Sequence, residues 1–454
     1  MRNLLTLLAL IISVVAFAQP VSNKSTEIVF RSVNVITMNQ EKVLEKQDVI
    51  VKNGVITGMG NTGSQKYGKD ALVIDGTGKY LMPGLAEMHA HVPPNADEES
   101  HKEVLLLFAA NGITTIRGML GHPSHLTLRS KINSGEILGP RFITSGPSLN
   151  GNTVKTPQAA IDSVISQKNA GYDFMKLHPG LLKENFAALV KKAKELKHPF
   201  AGHVSFDVGV WRAIDADYAT IDHMDGFIEG LVPGVENMTE QQMGLFGIYI
   251  HQKADQSQIP KLIKGLKDHS VWVVPTQSLT ERWMSPTRSS DELLNNPEMV
   301  YMNKTTLNSW RTNKENLVNN SQFKKEEVEN YVKLRRKLIY DAYKGGAGFL
   351  LGSDAPQVFN VPGFSAHHEL EYLVDAGLTP YEALKTGTVN VAKFLKRDDI
   401  GSIKKGAVSD LILLSANPLD NISNTQKIEG VMLRDKWLLR QYLDEILAKI
   451  KSTK

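Results

Sequence analysis

The 454-residue chain contains no cysteine. That absence excludes disulfides, thiolate zinc sites, thiol nucleophiles and a lipidated cysteine, so any metal must be held by nitrogen and oxygen ligands. A strong charge of one sign is lacking too. The formal net charge is +4, and the densest basic cluster, Lys191, Lys192, Lys194 and Lys197, lies in a helix-patterned stretch and reads as a solvated face. No basic stripe and no RNP, zinc-finger or P-loop pattern points to a nucleic-acid partner. Beyond residue 18 no apolar run is long enough to span a membrane. At 42% hydrophobic and 22% charged, the composition excludes a disordered or fibrous chain. The length suits one large domain with a smaller satellite.

What is present begins at the N-terminus. Arg2 precedes the apolar run 4–17, which ends in Ala16-Phe17-Ala18 before Gln19-Pro20. A positive start, a short apolar segment and an A-x-A site describe a secretory signal peptide over residues 1–18. A membrane anchor is the weaker alternative, because the run falls short of ~20 residues. The expected location is periplasmic or secreted, with no membrane span after cleavage.

Residues 27–37 and 48–59 alternate apolar and polar positions, and Asn53-Gly54 marks a hairpin turn. The pattern continues at 72–76 and returns at 410–414, 430–433 and from Trp437. The expectation is a small β-sandwich built from both chain ends, residues 19–82 and 400–454. Between them, short apolar strands alternate with helical stretches. The strands end near His91, Arg117, Gly146, His178, His203, His223, Thr276 and Asp354. Eight such units predict an α/β fold, a (β/α)8 TIM barrel over 83–399. A polar, helix-patterned excursion at about 280–343 reads equally as a lid or a surface decoration.

Several strand ends carry ligand-type side chains. In Pro83-Gly84-Leu85-Ala86-Glu87-Met88-His89-Ala90-His91, the two histidines sit at i and i+2 and face the same side, so they can chelate one ion. Lys176 closes an apolar strand, where an ammonium is costly to bury. It reads as a surface lysine at a strand tip, a Schiff-base amine, or a metal-linked lysine. A desolvated lysine loses its proton readily, and the neutral amine can add carbon dioxide to become a carbamate. His178 shares its face. His203, His223 and Asp354 close three more strands. Ligand-type residues at five strand ends, where barrel enzymes gather their chemistry, are hard to explain as packing.

With these motifs on the page, the chain resembles the amidohydrolase superfamily, and within it exported prolidase-like and imidazolonepropionase-like members. Gly112 to Arg117 resembles the family's second barrel strand, 376–390 the helix after the last one, and 400–411 the return into the sandwich. The resemblance implies a binuclear centre of two divalent metal ions, zinc first, with manganese, cobalt or iron as alternatives. His89, His91 and Asp354 would hold the more buried ion and His203 and His223 the more exposed one. Lys176, as its carbamate, would bridge them. Gly118 is a departure, because an acidic residue often follows the equivalent of Arg117.

The implied activity is metal-dependent hydrolysis of a carbon–nitrogen bond by metal-activated hydroxide, with Asp354 as catalytic base and then acid. The implied substrate is a small molecule: an Xaa-Pro-like dipeptide, which would make the enzyme a metallodipeptidase, or an N-acyl amino acid. A cyclic amide, lactone or phosphotriester on the same centre is the alternative, and a non-catalytic binding protein the third. His178, Arg117 and Tyr218 are candidate substrate contacts. For His178 a structural hydrogen bond is an equal reading, and for Arg117 a salt bridge in the barrel mouth is the stronger one. Trp211 reads as helix packing. His122, His125, His367 and His368 are unneeded as ligands, and His101, His198, His251 and His269 are peripheral. The oligomeric state, a homo-oligomer included, stays open.

Overall fold

The computed structural model describes residues 27–94 and 96–454. The expected signal peptide lies outside the described residues. Both chain ends enter one eight-stranded sheet. Its strands are β1 (Glu27–Ile36), β2 (Val43–Lys52), β3 (Val55–Asn61), β4 (Leu72–Asp75) and β5 (Tyr80–Pro83) from the N-terminal side. From the C-terminal side come β14 (Leu411–Leu414), β15 (Ile428–Leu433) and β16 (Lys436–Leu439). The order is β16-β15-β14-β5-β1-β2-β3, with β4 parallel beside β1. The antiparallel β5–β14 pair joins the two ends. Phe30 and Trp437 meet edge to face at 5.1 Å in a core to which both ends contribute.

The middle of the chain holds eight parallel strands, one at each of the expected places. They are β6 (Leu85–Ala90), β7 (Ile113–Gly118), β8 (Arg141–Thr144), β9 (Met175–Leu177), β10 (Phe200–Gly202), β11 (Thr220–Asp222), β12 (Trp272–Val274) and β13 (Gly348–Phe349). They pair as β6-β7-β8 and β13-β12-β11-β10-β9. Isolated parallel bridges Ser145–Phe174 and Ala90–Ala355 link the two sheets at their edges. Every residue of β6, β7, β9, β10 and β11 is buried, as expected of parallel strands covered on both faces.

A helix follows each of these strands, and local sequence starts and stops it. Thr156 caps the helix Pro157–Ala170 by accepting from the Ala159 amide, proline fills its first turn, and left-handed Gly171 ends it. The 280–343 excursion is only partly an insertion. Its second long helix, Lys325–Lys344, follows β12 and buries Val328, Tyr331, Leu338 and Ile339. A second excursion joins β11 to the helix Ile259–Asp268 through short turns over 227–258. Those turns lack the periodicity that marks an element in sequence. The C-terminal helix Arg440–Ser452 was likewise not expected. It packs Ile446 and Ile450 on Leu107.

Candidate metal centre

Backbone bonds bring the distant Asp354 to the histidine pair. The Met88 amide donates to Leu351 O, Asp354 N to His89 O, and His91 N to Ala355 O, at 2.7 to 3.0 Å. Asp354 has a left-handed backbone, φ 67°, which turns its carboxylate inward. Its Oδ1 lies 2.5 Å from His91 Nε2 and 3.2 Å from His89 Nε2. One ligand atom from each of these three residues falls within 4.8 Å of the others. Burial opposes ionisation of Asp354, but the two imidazoles hold its carboxyl well below the usual range.

Lys176, in β9, is fully buried, and its Nζ makes no hydrogen bond among the described residues. The nearest carboxylate oxygen, Asp222 Oδ2, is 3.9 Å away. Burial pushes the lysine down to about 8 against the pull of Asp222. Gly202 makes room for it. A Cβ there would come within 2.7 Å of Lys176 Cδ and 2.5 Å of Leu177 O, and φ is +123°, a conformation L side chains rarely adopt. Asp222 also stands 3.0 Å from His89 Nδ1 and accepts from Thr220 Oγ1 at 2.6 Å and Arg117 Nη2 at 3.4 Å.

His203 and His223 follow β10 and β11. Their rings stack at 4.4 Å, and His223 lies 4.5 Å from the His89 ring. His223 Nδ1 is 3.9 Å from Asp354 Oδ2, so both histidines join the same cluster. One ring nitrogen of each is engaged by a neighbour: His203 Nδ1 by Asp225 at 2.9 Å and His223 Nδ1 by Thr276 Oγ1 at 2.9 Å. Such partners fix ring orientation and tautomer. Burial, followed by Lys176 for His203 and by His203 for His223, keeps both rings well below the ordinary histidine value, which favours neutral, ligand-ready imidazole. Phe246, on the 227–258 excursion, lies nearly parallel to both rings, at 6.2 and 5.4 Å.

All six expected ligands therefore converge on one end of the strands. His178 joins them, its ring 5.0 Å from that of His203 and its Nδ1 buried without a partner. The other two candidate substrate contacts, Arg117 and Tyr218, lie against the site's supporting residues. Arg117 is 2% exposed and donates through Nε to Met88 O and through Nη2 to Thr220 Oγ1 and Asp222 Oδ1, a geometry that suits its salt-bridge reading. Tyr218 is 1% exposed, packed against Phe186 and Phe200, and donates to His203 O at 3.2 Å; it positions a backbone rather than facing a pocket. Trp211, read as packing, lines a cleft beside His203. His101, His198 and His251 are away from the cluster but buried, and His367 bonds Thr425 and Asn111 O. Asp222, Asp225, Thr276 and Phe246 are parts of the site that the sequence did not assign to it. Asp225 had one signal, a carboxylate two residues after the strand-end His223, and Thr276 had only its place at a strand end.

The family model described as "Amidohydrolase family" matches residues 80–438. An ochratoxinase of Aspergillus niger is 22% identical over 389 residues, covering 77% of this chain and 73% of that protein. Bottromycin amidohydrolase superposes with a TM-score of 0.72 at 20% identity, covering 95% of this chain and 91% of that one. A Xaa-Pro dipeptidase crystallised with bound methionine has a TM-score of 0.65 at 18% identity, covering 91% of this chain and 100% of that one. The chain belongs to the amidohydrolase family and is a hydrolase acting on carbon–nitrogen bonds.

Proposed function

We propose that this chain is an exported, metal-dependent amide hydrolase acting on a small molecule, an Xaa-Pro-like dipeptide or an N-acyl amino acid. The carrying observation is the meeting of His89, His91 and Asp354, together with a buried Lys176 whose amine makes no hydrogen bond. The eight parallel strands with their edge bridges are read as a (β/α)8 barrel over 83–399, and the sheet of both chain ends as a small β-sandwich over 19–82 and 400–454. Export rests on the sequence of residues 1–18. No helix among the described residues is long and apolar enough to cross a membrane.

The donor set fits two divalent cations, zinc foremost. His89, His91 and Asp354 would hold one, and His203 and His223 the other. A buried amine with no hydrogen bond, its nearest carboxylate oxygen 3.9 Å away, is unexplained as packing. It is accounted for if Lys176 adds carbon dioxide, losing a proton to become a carbamate with two oxygen donors. Bound there, the ions would lower the pKa of water and polarise a carbonyl. The chain's own residues do the rest. Asp354, kept ionised, accepts the proton of the attacking water and returns it to the leaving nitrogen. His178, beside His203 with a free ring nitrogen, orients the scissile group. Phe246 covers the histidines and excludes bulk water.

A hydrolysis panel on the zinc- or manganese-loaded mature protein tests this reading. Turnover of dipeptides or N-acyl amino acids supports it. Turnover confined to hydantoins, lactones or phosphotriesters, or none at all with under one metal bound per chain, refutes it.

A further inference from the structure

Next to His203 a cleft of about 1040 Å³ opens between the segment after β10 and the 227–258 excursion. Its walls include Val204, Phe206, Trp211, Val232, Leu245 and Phe246, with His203 itself part of the lining. The Trp211 indole N–H is already spent on Gly230 O at 3.0 Å. Carboxylates outnumber cations in the lining, with Asp207, Asp225, Glu229, Glu236 and Glu240 against Lys183 and Arg212, so the cleft disfavours an anionic substituent and leaves its apolar walls for an uncharged one. Leu245 is 39% exposed, a large apolar side chain left open to water. Phe246 belongs to both places: it covers the His203 and His223 rings and walls the cleft.

Apolar, concave and of this volume, the cleft has the character of a small-molecule pocket, and a dipeptide of small residues would leave most of it empty. We infer that it is a specificity subsite for a bulky apolar group flanking the scissile amide. The preferred substrates are then amides with a long aliphatic or aromatic substituent, not short polar dipeptides. The inference rests on the amide-hydrolase reading. The shared chemistry, an apolar substituent next to the amide, belongs to either the acyl or the amine side, and the test has an arm for each.

Binding is measured by calorimetry on the mature metal-loaded protein, using reduced-amide isosteres that cannot be hydrolysed. One arm lengthens the acyl-side group from two to six carbons, and the other enlarges the amine-side group from glycine to tryptophan. Each buried methylene is worth about fourfold in affinity, so at least one arm gains about tenfold or more. Leu245→Asp, a rim substitution, removes that gain and leaves the smallest ligand within about twofold. Affinity independent of size in both arms, or a gain that survives Leu245→Asp, overturns the subsite. Turnover of the parent amides is scored separately. A size-dependent affinity with no turnover refutes the hydrolase reading and leaves the cleft assignment standing.

Discussion

Arg335 donates to the carbonyl oxygen of His223 at 2.9 Å. It reaches there from the helix Lys325–Lys344, inside a segment that sequence alone presented as an appendage. The same guanidinium bonds Pro275 O at 3.1 Å and Gln277 Oε1 at 3.2 Å and lies 6.0 Å from the Phe246 ring centroid. His223 has φ 63° and Thr276 φ 44°, and strain of that kind persists only where the surroundings hold it. Arg335 is one of the holders. Arg335→Met should lower stability by about 2–4 kcal/mol in urea unfolding, because buried charge-assisted bonds are lost together. Arg335→Lys should recover little, since a point charge cannot reproduce three divergent donors. Both variants should retain less metal. A variant with unchanged midpoint and metal content would show that the helix merely decorates the mouth.

Lys176 carries the binuclear reading. Lys176→Ala should reduce bound metal and lower kcat/KM by more than the about 100-fold that loss of an outer-shell partner causes. If the lysine acts as a carbamate, formate or acetate added to Lys176→Ala should restore part of the activity, because a small carboxylate supplies the same two oxygens in the vacated space. Reconstitution of the wild type should also depend on bicarbonate. Full turnover in the variant, or rescue by amines instead of carboxylates, would remove the bridge.

Much of this was legible in the chain because side chains two apart on a strand share a face. His89 with His91, and Lys176 with His178, declared themselves by that spacing, and eight strand ends stood out from their apolar runs. The partners behind the ligands did not. Asp225 reaches His203 Nδ1 from 22 positions away, across neighbouring strands, and nothing local marks that pairing. Phe246 sits among short turns with no period to read. Arg335 stands in a polar, helix-patterned stretch that reads equally as a lid or a surface decoration, and Tyr218 reads as a candidate substrate contact. Their burial is a property of the assembled sheets, which only long-range pairing creates.

Asp222 and Asp225 should separate the two halves of the centre. Asp222 stands behind His89 and Asp225 behind His203, at 3.0 and 2.9 Å. Asp222→Asn should weaken the His89 side and Asp225→Asn the His203 side, each by about 10–100-fold in metal affinity. Asp222→Asn should also destabilise the apo protein more, because it leaves Arg117 buried without its anion. Chelator titration followed by metal analysis reads the order of release. Identical release from both variants would mean that the histidines do not divide between two ions.

Away from the centre, Glu298 receives Arg282 Nη2 at 2.7 Å and His368 Nε2 at 3.1 Å, and His368 Nδ1 lies 3.3 Å from Glu371. Burial opposes ionisation of Glu298, but His368 and Arg282 bring it down to about 2. Burial also opposes charge on His368, yet Glu298 and Glu371 hold it above the ordinary histidine value. The two signs act at opposite ends of the pH scale. A depressed carboxyl stabilises the fold above the unfolded-state pKa of about 4.3, and that contribution is lost as pH falls toward 2. A raised histidine stabilises it fully below about 6.5 and loses that contribution as pH rises through its folded value. The Tm difference between wild type and His368→Gln should therefore be greatest between about pH 4.5 and 6.5 and shrink toward alkaline pH. A difference that grows above pH 8 would mean that His368 is neutral in the fold and that Arg282 alone holds Glu298.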